Sequence, residues 1–217
     1  MKMKNYFTML TLASAVILSS CGKTTKGKMD GEWTIESYTE KSTTTSGGLT
    51  STETTTYSGN TVKIVTEYPG STTTKTGTIN EATWKISKDA TFERTESFTY
   101  VDQVGGQTIT TTVVNVVSGN WDFLSGIGEH KKNERVVFHP TSESTKRTVV
   151  SGSLTTNSEE KHTYLQGEVS EVYVVVESKK KSLELKFEGS NSNTSSQGST
   201  SSTSKETVDK SIRLTSN

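Results

Sequence analysis

Leu183, Leu185 and Phe187 alternate with Glu184, Lys186 and Glu188, and the same rhythm of one apolar residue to one polar runs in pieces through the chain from Gly31 onward. A period of two places alternate side chains on opposite faces of an extended backbone. No stretch holds the spacing of an amphipathic helix for more than a turn or two. Composition agrees once its apparent conflict is resolved. Threonine and serine fill 71 of 217 positions, whereas leucine, isoleucine, valine and phenylalanine fill 43, just under a fifth, a level at which disorder is suspected. Disorder also calls for high net charge and few β-branched residues. Here 24 Lys and Arg balance 24 Asp and Glu, and threonine and valine, stiff at χ1, suit a pleated surface.

Strands are expected at Trp33–Ile35, Val62–Tyr68, Trp84–Ile86, Phe92–Tyr100, Ile109–Val117 and Trp121–Phe123. Further strands follow at Arg135–His139, Arg147–Thr155, Val169–Val176, Leu183–Phe187 and Val208–Leu214. Pro69-Gly70, Lys88-Asp89-Ala90 and Gly105-Gly106 make turns, and Gly126 and Gly128 bracket a basic loop. The last strand is expected to pair with Leu183–Phe187. Two polar stretches, 41–60 and 189–204, read as disordered loops. Consecutive antiparallel strands must hide their edges, and closing into an up-and-down β-barrel of about 8–10 strands does so most completely. A β-sandwich is the alternative. A transmembrane barrel needs an unbroken lipid-facing apolar band, which the outward threonines, lysines and glutamates do not supply.

The N-terminus reads as an address. Lys2 and Lys4 precede an apolar stretch, Tyr6–Leu18, and then Leu18-Ser19-Ser20-Cys21, the layout of a secretory signal peptide. Thirteen helical residues rise about 20 Å at ~1.5 Å each, short of the ~30 Å hydrocarbon core. Cys21 is the only cysteine, so the mature chain forms no internal disulfide. Leu-Ser-Ser-Cys resembles the lipobox of bacterial lipoproteins, which implies cleavage after Ser20 and a diacylglycerol on Cys21. The domains expected are residues 1–20 as signal peptide, 21–30 as lipidated tether and 31–217 as one barrel. No aspartate follows Cys21, which by resemblance to bacterial sorting rules implies the outer membrane. The basic tether makes a periplasm-facing attachment the preferred one over the cell surface.

Gly31-Glu32-Trp33, Ala82-Thr83-Trp84 and Gly119-Asn120-Trp121 each set a small residue two before a tryptophan, so all three indoles are expected in one core. Gly31-x-Trp33 is similar to the lipocalin signature, and the layout resembles the lipocalin-like (calycin-type) lipoproteins of Bacteroidota. Shared features are Trp84-Lys-Ile-Ser-Lys-Asp-Ala-Thr-Phe92, Gly119-Asn-Trp-Asp-Phe123 and Lys132-Asn133-Glu134. The second, Asp-containing lipocalin motif is missing, and Ala90 stands where a turn glycine is usual. Arg213 is the candidate for the arginine that stacks on the first-strand tryptophan.

The resemblance implies the barrel; one reading of it is a lipid-anchored module that holds a small apolar molecule, with Trp33, Trp84, Trp121 and Tyr100 as wall residues. The alternative is a filled barrel serving as a structural or protein-interaction lipoprotein. If Phe92, Phe98 and Tyr100 point inward, so do Arg94 and Glu96, and two interior charges imply a wet or polar-ligand cavity. The preferred reading places a β-bulge near Thr95 and both charges outside. Zero net charge selects neither nucleic acid nor an anionic surface as a partner. No catalytic residues, cofactor or metal site is expected: there is no cysteine nucleophile, no Gly-x-Ser-x-Gly elbow and no phosphate-binding glycine loop. His130, His139 and His162 lack metal-ligand spacing.

Overall fold

The computed structural model describes residues 25–124, 134–197 and 200–216. One turn of helix, α1 (Thr25–Met29), leads into eleven strands. These are β1 (Gly31–Ser46), β2 (Leu49–Ser58), β3 (Thr61–Tyr68), β4 (Ser71–Ile86), β5 (Thr91–Val104), β6 (Gln107–Leu124), β7 (Arg135–Ser151), β8 (Leu154–Thr163), β9 (Glu171–Ser178), β10 (Ser182–Gln197) and β11 (Thr200–Thr215). All pairings are antiparallel, and the ring β1-β2-β3-β4-β5-β6-β7-β9-β10-β11 closes on itself as ten strands, with β8 hanging from β7. The antiparallel up-and-down barrel is the expected architecture, and a sandwich is set aside.

The ring tapers. At one end β4 pairs directly with β1, Trp33 opposite Trp84, and the β2–β3 hairpin is left out, so the base has eight strands. α1 joins this end: Met29 is fully buried and its carbonyl accepts a hydrogen bond from Trp33 Nε1 at 2.8 Å. Trp121 Nε1 donates to the Ser87 carbonyl at 2.9 Å. Both indoles thereby seal the base with their one polar atom satisfied. Above them Trp84, Phe138 and Tyr173 meet edge to face, with centroids 5.2–6.1 Å apart. All three tryptophans share one core, as their spacing predicts.

Away from the base the wall opens. β9 pairs with β7 only over Arg135–Phe138 and with β10 only as far as Lys186. Beyond that level β7 turns to β8, from Ser142 to Ser151. Among the described residues no pairing joins β8 to β10, which leaves a slit.

Two expectations on loops are corrected. Within 41–60, Lys41–Ser46 completes β1 and Leu49–Ser58 is β2, joined by the turn at Gly47-Gly48. Within 189–204, β10 runs to Gln197 and β11 starts at Thr200. A hairpin that projects past the core needs no apolar face, and threonine suffices for its backbone. The strand expected at Arg147–Thr155 is also corrected: Arg135–Ser151 is one strand and the chain turns at Gly152. The basic loop with Gly126, Gly128 and His130 lies outside the described residues, as do Cys21 and the signal segment. Leu183–Phe187 does pair with β11, Leu183 opposite Leu214.

Candidate functional site

β5 decides what the barrel contains. Its ladder with β6 is unbroken from Thr91 to Val104, so Phe92, Arg94, Glu96, Phe98 and Tyr100 share one face, the inner one. The bulge expected near Thr95 does not exist, and this corrects the outward placement of Arg94 and Glu96. The extra residue sits on the neighbouring strand, at Asn80 of β4 between Ile79 and Glu81, where its amide donates to Thr99 Oγ1 at 2.9 Å.

Arg94 reaches across the barrel to Glu171 on β9, Nη1 to Oε2 at 2.7 Å and Nη2 to Oε1 at 3.4 Å. This is a two-pronged guanidinium–carboxylate pair, the geometry in which such pairs are strongest. Its planar head lies 5.7 Å from the Trp84 ring. Lys210 on β11 stands between Glu40 at 3.6 Å and Glu171 at 3.7 Å. Tyr57 on β2 donates to Glu96 Oε2 at 3.0 Å, and Tyr38 on β1 donates to Glu40. Five strands thus supply one network, in which three carboxylates, on Glu40, Glu96 and Glu171, stand with two cations, on Arg94 and Lys210.

Protonation follows from these contacts. Burial pushes the Glu171 carboxyl up, but Arg94 and then Lys210 outweigh it and hold it below the usual range. Burial also raises Glu96, and Arg94, the Tyr57 hydroxyl and Lys210 offset only part of that, leaving it above the usual range. For Arg94 burial opposes the charge, yet Glu171 more than restores it. Burial first, and then the neighbouring carboxylates, keep Tyr38, Tyr57 and Tyr173 protonated far above neutrality.

The network leaves a cavity of about 200 Å³, bounded by Trp84, Arg94 and Glu96 with the adjoining Asn115, Glu143 and Thr145 of β6 and β7, by Tyr173 of β9, and by Tyr38, Glu40, Lys210 and Ile212 of β1 and β11. Glu143 accepts from the Tyr164 hydroxyl at 2.9 Å. Of the expected site residues, Trp84, Arg94 and Glu96 converge here. Trp33 and Trp121 instead seal the base. Tyr100 packs farther from the base on the β4–β5 wall against Phe98, with Lys75 Nζ 4.4 Å from its ring centre, and takes no part in the cavity lining. The lining is mainly charged and phenolic, with Trp84, Val117 and Ile212 as its apolar part. Arg213 faces outward between Glu36 and Glu177, which corrects its expected stacking on Trp33. A larger groove of about 810 Å³ runs outside the base along Glu81, Thr83, Lys85 and Glu93. Those residues face solvent, so the groove encloses nothing.

Glu40, Tyr38, Tyr57, Glu143, Glu171 and Lys210 were not singled out by the sequence. Lys210 carried a signal, since it falls in phase with Val208, Ile212 and Leu214. His139 bonds Ser170 at 2.8 Å and His162 bonds Glu160 at 2.9 Å. Among the described residues no three His, Cys, Asp or Glu converge on a point suited to a metal, and no helix is long and apolar enough to cross a membrane. The chain matches no protein-family model, no curated protein and no solved structure.

Proposed function

We propose that the protein is a lipid-anchored, non-enzymatic lipoprotein of the bacterial outer membrane, akin to the lipocalin-like kind, whose barrel holds one small molecule. The reading is carried by one observation: a barrel sealed at its base keeps a partly open, polar cavity of about 200 Å³ at mid-height. The apolar side chains that would greet an apolar ligand are spent on packing one another, so the ligand proposed is polar. The volume lies below the usual ~300–1,000 Å³ of sites for drug-sized ligands. That favours a molecule of a few heavy atoms.

Support for the anchor comes from Leu18-Ser19-Ser20-Cys21 and from the position of α1, which brings the chain in at the sealed end. Two or three acyl chains on Cys21 would hold the protein at a bilayer, where one holds it marginally. The test has two arms. Radiolabelled palmitate is expected to enter the full-length protein and not Cys21→Ser. Native mass spectrometry of the detergent-purified protein is expected to show a retained small molecule. Absence of label overturns the anchor, and a bare mass overturns the binding reading.

One observation favours a second reading, a filled barrel that serves protein partners. All ten residues of β8 are exposed on both faces, an unusual amount of free strand for a molecule that only encloses a ligand.

A further inference from the structure

We infer that the cavity takes a small organic cation, a primary ammonium, with Glu96 Oε1 as its counter-charge; this rests on the binding reading above. Four carboxylates face the cavity or its edge, on Glu40, Glu96, Glu143 and Glu171, against two cations, Arg94 and Lys210. Both cations are engaged: Arg94 by Glu171, and Lys210 by Glu40 and Glu171. Glu96 has no ion-pair partner within 4.0 Å among the described residues. Its Oε2 receives the Tyr57 hydroxyl, whereas Oε1 meets no donor. The side chain retains accessible surface although it points inward, and that surface is cavity wall.

An enclosed carboxylate is costly unless a cation pairs with it, and the wall offers none that is free. Phenols and an indole bound the same space, and aromatic faces attract an ammonium held near them. A calcium-like ion is a poorer match, because it asks for six or more oxygens at about 2.3–2.6 Å, and among the described residues no three carboxylates converge on one point. The space equals about six or seven water molecules at ~30 Å³ each. Toward the wide end the register sets both signs on the inner face, Glu53 and Glu206 beside Thr66 and Ser42, and Lys75 and Arg147 on β4 and β7.

The full chain in detergent at pH 7.5 and constant ionic strength is titrated with ethylammonium, propanol and acetate, probes of similar size, one cationic, one neutral and one anionic. Binding is read by calorimetry and by the NMR shift of the Trp84 indole N–H. Saturable binding of ethylammonium alone is expected, weakened tenfold or more in Glu96→Gln and unchanged in Glu93→Gln, on the outer face of the same strand. Should Glu96→Gln fail to fold, Glu143→Gln serves, with at least threefold weakening expected. Binding of acetate or propanol in preference overturns the cation assignment and leaves the binding reading standing. No response to any probe overturns the assignment, and native mass spectrometry then judges the binding reading separately. Equal binding by Glu96→Gln and wild type overturns the role of that carboxylate.

Discussion

Arg94 shows how one side chain ties the barrel together. Its partner Glu171 is 77 residues away, and removing either leaves the other enclosed and unpaired. Arg94→Leu is expected to cost about 3 kcal/mol in urea unfolding. Arg94→Leu with Glu171→Leu should cost less than the two single changes added, by more than ~1 kcal/mol. Glu96 works in the opposite sense. Its carboxyl is faced by Arg94 on its own strand, Lys210 on β11, Tyr38 and Glu40 on β1, Tyr57 on β2, Glu143 on β7, and Glu171 and Tyr173 on β9. A raised folded value means that its contribution is fully present below the unfolded value of ~4.3 and is lost as pH rises through the folded one. Glu96→Gln should therefore melt with wild type at pH 4 and above it at pH 8. Glu171, held low, contributes above ~4.3 and loses that contribution as pH falls through its folded value. Gly119 acts through space instead of charge: a Cβ there would overlap the His139 carbonyl, which is backbone and cannot move aside. Gly119→Ala is expected to cost about 3 kcal/mol, measurable as a lowered urea midpoint.

Strands were legible wherever alternation was intact. Tyr38 stayed hidden because β1 slips register between Ile35 and Ser37, so counting by twos from Trp33 puts it outside. The bulge at Asn80 has the same effect on β4, and parity alone does not say which strand of a pair holds the extra residue. Arg94 and Glu96 read as outward because a lone buried charge is unfavourable, and the partners that make them tolerable lie on distant strands. Residues 41–60 and 189–204 read as loops for want of apolar residues, when their threonines and serines extend hairpins past the core. Ala90, flagged in the sequence for standing where a glycine is usual, does adopt φ 67°. β8 carries a prediction at this scale. It is paired on one edge and exposed on both faces, so its amides should exchange with deuterium within minutes, while those of β1 and β6 near the base persist for hours.

At the scale of the molecule, stability resides in the eight-stranded base, and the rim is largely expendable. Replacing residues 149–156 with Asn-Gly, so that Thr148 and Asn157 remain opposite one another, is expected to leave the melting temperature within about 2 °C of wild type. A larger fall would show that the rim shares in the fold. The ring closes where β11 lies against β1, and there Thr215 stands opposite Thr34. The chain thus enters and leaves at the same floor, on adjacent antiparallel strands whose hydrogen bonds run crosswise to the strand direction. A force drawing those two ends apart would fall on one rung at a time, opening the seam like a zip instead of shearing it, so a barrel resistant to heat and urea would still yield readily to a pull on its ends.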